Sequence, residues 1–331
     1  NNATSALELT AQLCQFEKDD EVIIPSHTYT SSAYPFLKAG ASIIWADIDL
    51  NARVVTKETI EACLTSKTKA IVVPHLYGYV ADIEDIVSLV ADKNIIVIED
   101  AAQSLGASID GRMSGTLGDF GVFSFHSHKN MTTLGEGGMI TTHNDEYADL
   151  IPVLRHNGHC GFSYEREDYW IPAMGNVDLP IINQKSIFPS NYCLGEVECA
   201  IGAKLLDRVN ELNAKKRERA IYFIDAMKEF GQFVFHRENT PRHNYHLLAA
   251  MDLSGNRDKF IKKMALEKSI QCVVQYYPLN RYDLYIKSGL GEANCPNADK
   301  FFDNMISFPF QHMLSDMELD YVIDSTKSVL R

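Results

Sequence analysis

Short apolar runs recur along the first part of the chain, and each is separated from the next by a segment with more polar positions. Strand-length apolar runs bounded by turn-forming residues are typical of buried β-strands. Their alternation with helical patterns predicts a mainly parallel sheet covered by helices. The predicted strands are residues 22–24, 42–45, 70–74, 95–99, 120–125 and 138–142.

The pattern changes at residue 196. Residues 196–230 have helical spacing and predict one or two long helices that bridge two domains, with an apolar face formed by Ala200, Ala203, Leu206 and Val209. Beyond this bridge, the predicted strands are 233–235, 245–251 and 271–275, and the predicted helices are 257–268 and 316–329. We therefore expect an α/β protein with a large domain over residues 1–205 and a smaller C-terminal α/β domain over residues 206–331.

Composition restricts the possible functions. A chain of 331 residues with 46% hydrophobic content can bury two cores. Its net charge of −13 argues against a general nucleic-acid surface. Since the apolar runs are far shorter than the roughly 20 residues of a transmembrane helix, we expect no membrane span, and we expect no secretory signal. The seven cysteines contain no Cys-x-x-Cys pair, which predicts reduced thiols in a cytoplasmic protein.

Lys129 stands between the apolar run 120–125 and a glycine-rich stretch, which suits an amine that reacts. A lysine held there would be poorly hydrated, and desolvation favours the neutral amine that attacks a carbonyl to form a Schiff base. On spacing alone, a solvated loop lysine is the alternative. Asp100 changes that balance, because it ends an apolar strand at the position where parallel sheets place ligand-contacting residues. Pyridoxal phosphate requires a Schiff-base lysine, an acid for its ring nitrogen and an anion site.

The start of the chain predicts that anion site. Ser5 and Glu8 fit a capping box at a helix N-terminus, where free amides and the helix dipole bind phosphate. The hydroxyls of Thr4 and Ser5 add two donors. Considered alone, this pattern indicates an ordinary structural cap; Asp100 and Lys129 are what favour a phosphate site here.

Three further features do not by themselves indicate a catalytic or metal site. His126 and His128 share a strand face, but without a third ligand nearby we expect no metal site. The basic run 215–219 is most simply a solvated helix face. The irregular region 160–189 predicts a long loop whose aromatic residues line a sugar pocket or pack at an interface, namely Tyr164, Tyr169 and Trp170.

Taken together, these motifs resemble those of the DegT/StrS-type sugar aminotransferases, which are fold-type I pyridoxal phosphate enzymes. The order and spacing of the matching segments are specific, and they span nearly the whole chain. The segments are Asn2-Ala-Thr-Ser-Ala-Leu7, Asp20-Glu-Val-Ile-Ile-Pro-Ser26, Val73-Pro-His-Leu-Tyr-Gly78, Glu99-Asp-Ala-Ala-Gln-Ser104, 124–138, Arg155-His-Asn-Gly158, Asn191-Tyr192, Tyr277-Pro-Leu279 and Ser307-Phe-Pro309.

The resemblance implies a role for each matching residue. Lys129 would form the Schiff base and carry protons, and Asp100 would pair with the pyridine nitrogen. Gln103 would approach the 3-hydroxyl of the cofactor, and Tyr29 would stack on its ring, although packing is the alternative for Tyr29. The phosphate would be held by Ser124, Thr4 and nearby amides, including that of Ala3, and by Asn191 from a second subunit. Candidate substrate contacts are His128, Lys185 and Tyr277.

The implied activity is transfer of an amino group from an amino acid, L-glutamate by resemblance, to a keto-sugar in polysaccharide or antibiotic sugar biosynthesis. The expected acceptor is a nucleotide-linked keto-deoxysugar, and the alternative is a free keto-sugar acid such as an 8-oxo octulosonate. The expected assembly is a homodimer with the active site at the subunit interface. A non-catalytic regulator that binds the cofactor is the alternative of another class, and relatives with histidine in place of the lysine are dehydratases.

Two departures from the family pattern bear on these expectations. Many relatives carry histidine where this chain has Tyr276, directly before Tyr277. Contacts to the acceptor can therefore differ. Relatives also have a segment ahead of the phosphate-binding helix, so we expect the N-terminal part of the large domain to be missing from this sequence.

Overall fold

The computed structural model describes residues 1–159 and 179–331. The predicted aromatic cluster of Tyr164, Tyr169 and Trp170 lies outside the described residues. Within the two described ranges, no helix is both long and apolar enough to cross a membrane.

A six-stranded sheet forms the first part of the protein. Its strands are β1 (Glu21–Pro25), β2 (Ser42–Ala46), β3 (Thr68–Pro74), β4 (Ile96–Asp100), β7 (Phe120–Ser124) and β8 (Gly138–Thr142), and a small hairpin of β5 (Ser108–Ile109) and β6 (Arg112–Met113) lies between β4 and β7. The strand order is β2-β1-β3-β4-β7-β8, and only β8 runs antiparallel to its neighbour. The prediction of a mainly parallel sheet is therefore confirmed.

Helices cover this sheet because each buries an apolar side against it. They are α1 (Ala3–Leu13), α2 (Tyr34–Lys38), α3 (Lys57–Glu61), α4 (Ile83–Val90) and α5 (Asp145–Leu154). A hairpin of β9 (Ile181–Ile182) and β10 (Lys185–Ser186) follows, and then the bridge helices α6 (Glu196–Leu206) and α7 (Val209–Met227).

The last part of the chain forms a second sheet with its own core. The sheet is antiparallel and has the order β11 (Phe233–Phe235), β12 (Leu248–Asp252) and β13 (Met305–Phe308). The helices of this part are α8 (Arg257–Lys268), α9 (Asp283–Lys287), α10 (Pro296–Asn304) and α11 (Asp316–Leu330). Phe223 of α7 packs on Phe308 of β13 with ring centroids 5.0 Å apart. Tyr285 of α9 and Phe301 of α10 pack instead in the core of the six-stranded sheet. The boundary near residue 205 stays a prediction.

The predicted strand 271–275 is wrong. Val273 makes a single antiparallel bridge to Ser307, while the amide of Gln275 donates to the sulfur of Met305 at 3.1 Å rather than to a backbone carbonyl. The third strand of this sheet is β13, which pairs with β12. The apolar pattern did not identify it. The predicted strand 245–251 begins later, at Leu248, because Tyr245 has a positive φ of 50° that no strand accommodates.

The predicted apolar face of the bridge is exposed along α6. Ala200, Ala203 and Leu206 are exposed, whereas Gly202 is buried against Thr133. Helix α6 carries apolar residues on two sides, and the described residues bury only the side of Gly202. Val197 is 62% exposed and Leu206 is 51% exposed.

Candidate active site

The carboxyl ends of the parallel strands gather the candidate residues at one edge of the sheet. Asp100 ends β4, Ser124 ends β7, and Tyr29 lies in the segment that follows β1. Lys129 lies in the turn after β7, where its amide donates to the carbonyl of His126 at 2.9 Å. The sheet order places β4 beside β7, so the acid and the lysine come from neighbouring strand ends.

The carboxylate of Asp100 is buried, with the residue 8% exposed, and it is fixed by two donors. Ser32 Oγ donates to Oδ2 at 2.6 Å, and the amide of Ala102 donates to Oδ1 at 3.1 Å. Ser32 is itself held by the hydroxyl of Thr28 at 3.0 Å. These two donors hold the carboxylate in one orientation.

The neighbouring carboxylate of Glu99 points away from the site. It accepts hydrogen bonds from His75 Nε2 at 2.8 Å and from the amides of Gly115, Leu117 and Gly118 at 2.6–2.7 Å. Burial acts to raise the pKa of Glu99, but the bonds from His75 and these amides outweigh it and lower the pKa. Glu99 therefore anchors the turn before β7, and Asp100 is the acid at the site.

The amine of Lys129 has the electrostatic setting that the sequence predicted. Desolvation lowers the pKa of Lys129, and the nearby carboxylate of Asp100 partly opposes this shift. The two side chains therefore interact electrostatically across the site. Within residues 1–159 and 179–331, the Lys129 amine makes no hydrogen bond to an acceptor. A desolvated amine without an acceptor is more available for covalent bonding than a solvated one.

A cradle of small residues lies at the start of α1. Gly138 packs so closely on the helix that an added Cβ would lie 2.4 Å from the carbonyl carbon of Asn2 and 2.7 Å from the nitrogen of Ala3. Ser124 is the strand partner of Gly138, so its hydroxyl lies beside the helix start. Thr4 Oγ1 bonds to Ser31 Oγ at 2.8 Å. Amides at the first turn of a helix lack intrahelical partners and bind anions.

The predicted capping box was offset by three residues. Asn2, not Ser5, is the N-cap, because the Asn2 side chain accepts from the amide of Ser5 at 2.9 Å and Ser5 Oγ accepts from the amide of Asn2 at 3.2 Å. Glu8 does not return to a cap and instead pairs with Lys38 at 2.9 Å and with the hydroxyl of Tyr192. The helix therefore begins earlier, and Ala3 and Thr4 form its first turn.

Gln103 lies at the same edge and is fixed by two neighbours. Its Oε1 accepts from the amide of Tyr77 at 2.7 Å, and its Nε2 donates to the hydroxyl of Tyr276 at 3.1 Å. Tyr29 meets the edge of the Tyr276 ring at a centroid distance of 5.9 Å. Since Tyr29 is 55% exposed, its ring is not a core packing element.

Tyr276 is the site residue that the sequence analysis missed. The adjacent Tyr277 was proposed instead, but Tyr277 is 44% exposed and packs on Phe302 at 5.3 Å and Tyr282 at 5.5 Å. In two consecutive tyrosines the side chains leave the backbone on different sides, so composition cannot decide which one faces a site. The replacement of the family histidine by Tyr276 was the available signal.

Lys185 is not brought to this site by its own chain. It lies in the β9–β10 hairpin and pairs with Glu17 at 2.8 Å, beyond the C-terminal end of α1 and opposite to Thr4. Asn191 is exposed and lies beside the start of the chain, where the amino group of Asn1 donates to the carbonyl of Tyr192 at 2.7 Å. The predicted contribution of Asn191 to a second subunit remains a prediction.

His128 lies at the exposed mouth of the site. Its ring meets that of His126 at a centroid distance of 4.9 Å, and its amide donates to His126 Nδ1 at 3.2 Å. It is therefore next to Lys129 along the chain without being fixed toward it.

The basic run 215–219 is not a fully solvated face. Lys216 is 4% exposed, and its amine donates to Asn130 Oδ1 at 2.9 Å and to the carbonyl of His246 at 3.2 Å. Arg219 is 8% exposed and donates to Asp316 at 3.1 Å. Burial lowers the pKa of Lys216 to about 7. Asn130, the residue that follows Lys129, is therefore hydrogen-bonded to helix α7.

A sequence model of the DegT/DnrJ/EryC1/StrS aminotransferase family matches residues 1–327. The GDP-perosamine synthase of Caulobacter vibrioides is 33% identical over 337 residues, which cover 100% of this chain and 84% of that protein. The L-glutamine:2-deoxy-scyllo-inosose aminotransferase of Streptomyces kanamyceticus is 31% identical over 311 residues, which cover 92% of this chain and 70% of that protein. A solved structure of a putative sugar aminotransferase from Streptococcus pneumoniae, in its PMP form, has a TM-score of 0.83 and 26% identity, covering 100% of this chain and 86% of that chain.

Proposed function

This chain belongs to the DegT/DnrJ/EryC1/StrS aminotransferase family, and on that premise we propose that it moves an amino group from L-glutamate to a nucleotide-linked keto-deoxysugar. The family resemblance and the fold-type I architecture expected from the motifs are confirmed. The protein is a pyridoxal-phosphate-dependent sugar aminotransferase. The single observation that carries the proposed site is that the neighbouring strands β4 and β7 bring a desolvated Lys129 amine close to the fixed carboxylate of Asp100.

Pyridoxal 5′-phosphate is the cofactor of this family, and the residues at the sheet edge fit it. The first turn of α1 and Ser124 offer donors to a phosphate, Asp100 offers an acceptor to a ring nitrogen, and Lys129 offers a free amine. Bound there, the cofactor supplies an electron sink for the carbon from which a proton is removed. A closely packed, partly dry site strengthens each of these contacts.

Each side chain then has a defined task. The Asp100 carboxylate, held by Ser32, would accept a hydrogen bond from a protonated ring nitrogen of the cofactor. Lys129 Nζ would hold the cofactor covalently and, once released, would serve as the base and acid that carries the proton. Tyr29 covers one side of the ring, and Gln103 offers an N–H to its oxygen.

The nucleotide-linked acceptor is supported by the relative named GDP-perosamine synthase. The relative named for 2-deoxy-scyllo-inosose favours the alternative of a free keto-acceptor, and its name also makes L-glutamine an alternative donor. The tyrosine at position 276, where many relatives carry histidine, supports an acceptor contact particular to this chain. The free keto-sugar acid therefore stays as the second candidate.

A homodimer is the assembly we propose, and a cytoplasmic location goes with it. Exposed apolar side chains on α6, on β8 and in the segment before β8 support a self-association surface, and β8 packs on the start of α1 through Gly138. These residues are Leu134 (65% exposed), Met139 (49%), Val197 (62%) and Leu206 (51%). Asn191 lies near this surface and would approach the phosphate site of the second subunit.

Rapid mixing of the cofactor-loaded protein with L-glutamate tests the reaction. We expect the absorbance of the covalently bound cofactor to convert to that of its amino form in one turnover, with release of 2-oxoglutarate. Addition of keto-sugars with and without a nucleotide should then reverse the change for the true acceptor. An unchanged spectrum with both L-glutamate and L-glutamine would rule out transamination and favour the cofactor-binding regulator.

Lys129→Ala tests the covalent attachment. We expect the variant to fold and to lose borohydride-reducible attachment of the cofactor, because the proposed site assigns the covalent bond to the Lys129 amine. The matched control is Lys215→Ala, which removes an exposed lysine. A reducible yellow adduct that persists in Lys129→Ala would refute the assignment.

A further inference from the structure

The amide of Gln103 has only one orientation that satisfies its neighbours. The backbone N–H of Tyr77 can only donate, so the atom that faces it at 2.7 Å must be the Gln103 oxygen. Nε2 then faces the hydroxyl of Tyr276 at 3.1 Å and uses one of its two N–H groups there. Within the described residues, the second N–H of Gln103 has no acceptor. Gln103 is 7% exposed, so this donor is held at a buried position on the site edge.

Tyr276 is itself held firmly. Its ring lies nearly parallel to that of Tyr77, with centroids 6.4 Å apart and an interplanar angle of 13°. The hydroxyl of Tyr77 donates to the carbonyl of Gln275 at 2.6 Å and bonds to His27 Nε2 at 2.7 Å, which fixes the backbone just before Tyr276. The oxygen that receives the Gln103 N–H therefore has a defined position.

We propose that Tyr276 is a positioning residue for the cofactor: its hydroxyl oxygen locks the Gln103 amide so that the free N–H is aimed at the ring oxygen of the cofactor. This inference rests on the proposed function and on the contact between Gln103 and that oxygen. The Tyr77 amide selects the orientation of the Gln103 amide, and the Tyr276 hydroxyl occupies the first of the two Nε2 N–H groups. With both contacts in place the amide is held at its two ends, and only the second N–H is left for the ring oxygen.

The protonation state of Tyr276 suits this role. Burial raises the pKa of Tyr276 to about 12, so the phenol is neutral at ordinary pH. A neutral phenol accepts from Gln103 and keeps its own proton as a further donor. A phenolate in this position would place a second negative charge near Asp100.

The lock has a spectroscopic consequence. A donor to the ring oxygen stabilises that oxygen as an anion and weakens its hold on the proton of the neighbouring imine nitrogen. Loss of the donor therefore raises the pKa of the imine at Lys129. A single charged-group hydrogen bond corresponds to a shift of about one pH unit.

The test uses Tyr276→Phe, which deletes one oxygen and keeps the ring. We expect the cofactor to remain covalently attached while the pH midpoint of its absorbance rises by about one unit relative to the unmodified protein. Tyr321→Phe is the matched control, because it deletes an exposed hydroxyl that bonds to the carbonyl of Lys268. Melting temperatures of both variants check that the fold is kept.

A double variant tests whether Tyr276 acts through Gln103. In a Gln103→Leu background, Tyr276→Phe should no longer shift the midpoint, since the amide it orients is gone. Normal attachment with an unshifted midpoint in Tyr276→Phe overturns this inference alone, and so does a full shift that persists beside Gln103→Leu. Failure of the unmodified protein to attach the cofactor overturns the proposed function and this inference with it.

Discussion

Lys216→Met should change how the stability of this protein depends on pH. The methionine keeps an unbranched side chain of similar length and removes the amine that is buried beside Asn130. A neutral amine has two N–H groups, and the structure provides two oxygen acceptors, Asn130 Oδ1 and the His246 carbonyl. A charged ammonium has a third N–H, for which the described residues show no oxygen acceptor; Nζ lies 5.6 Å from the centroid of the Phe310 ring.

The magnitude follows from the shift in pKa. Burial lowers the pKa of Lys216 from 10.5 to about 7. Between these two values the unfolded chain binds a proton that the folded chain does not. Stability is therefore reduced below pH 7, rises with pH through this window, and is fully regained near pH 10. One titrating proton contributes about 1.4 kcal/mol per pH unit, so the unmodified protein should gain about 2 to 3 kcal/mol relative to Lys216→Met between pH 7.5 and 9.5.

Urea unfolding at several pH values measures this difference. Each comparison is made between the variant and the unmodified protein at one pH, so that the titration of tyrosines and cysteines cancels. Lys215→Met is the control, because Lys215 is the adjacent but exposed lysine. A stability difference for Lys216→Met that stays constant from pH 7.5 to 9.5 would refute the argument that the buried amine is neutral.

Two further changes test the site. Asp100→Asn keeps the shape of the side chain that binds Ser32 but removes its charge. The cofactor should therefore still attach, while the single-turnover rate with L-glutamate falls by about a hundredfold or more. An unchanged rate in stopped-flow absorbance would contradict the role of Asp100. Gly138→Ala places a Cβ 2.4 Å from the carbonyl carbon of Asn2, so the start of α1 must shift, and we expect the dissociation constant of pyridoxal phosphate to rise about tenfold. Fluorescence titration measures this, and an unaltered constant would show that α1 does not hold the phosphate.

Local patterns were sufficient for the main sheet. The apolar runs that predicted strands at 22–24, 70–74 and 120–125 correspond to β1, β3 and β7, because strands buried on both faces must be continuously apolar. The pattern failed where pairing came from elsewhere in the chain. Residues 271–275 have strand-like composition, but Val273 reaches Ser307 through one bridge only. The edge of β12 is paired along its length with β13 instead.

The same division holds for the site. Asp100 and Lys129 could be identified from sequence because each follows an apolar strand, and the carboxyl ends of parallel strands share one edge. Local sequence could not separate Tyr276 from Tyr277, or Lys216 from Lys215, since each pair differs only in the direction of its side chains. Neither could it place the cap at Asn2, where two short polar residues were equally suitable.

The sequence by itself determined where the strands of the main sheet lie along the chain and pointed to Lys129 and Asp100 as the candidate lysine and acid, because those features depend on residue type and short-range period. Only the tertiary structure decided which tyrosine fixes Gln103 and which lysine loses its water. Burial depends on partners that are distant in sequence: Lys216 is covered by Asn130 and His246, and Tyr276 is held by Gln103 and Tyr77. The physical reason is that desolvation and side-chain direction are set by the packing of separate elements, which no local period encodes.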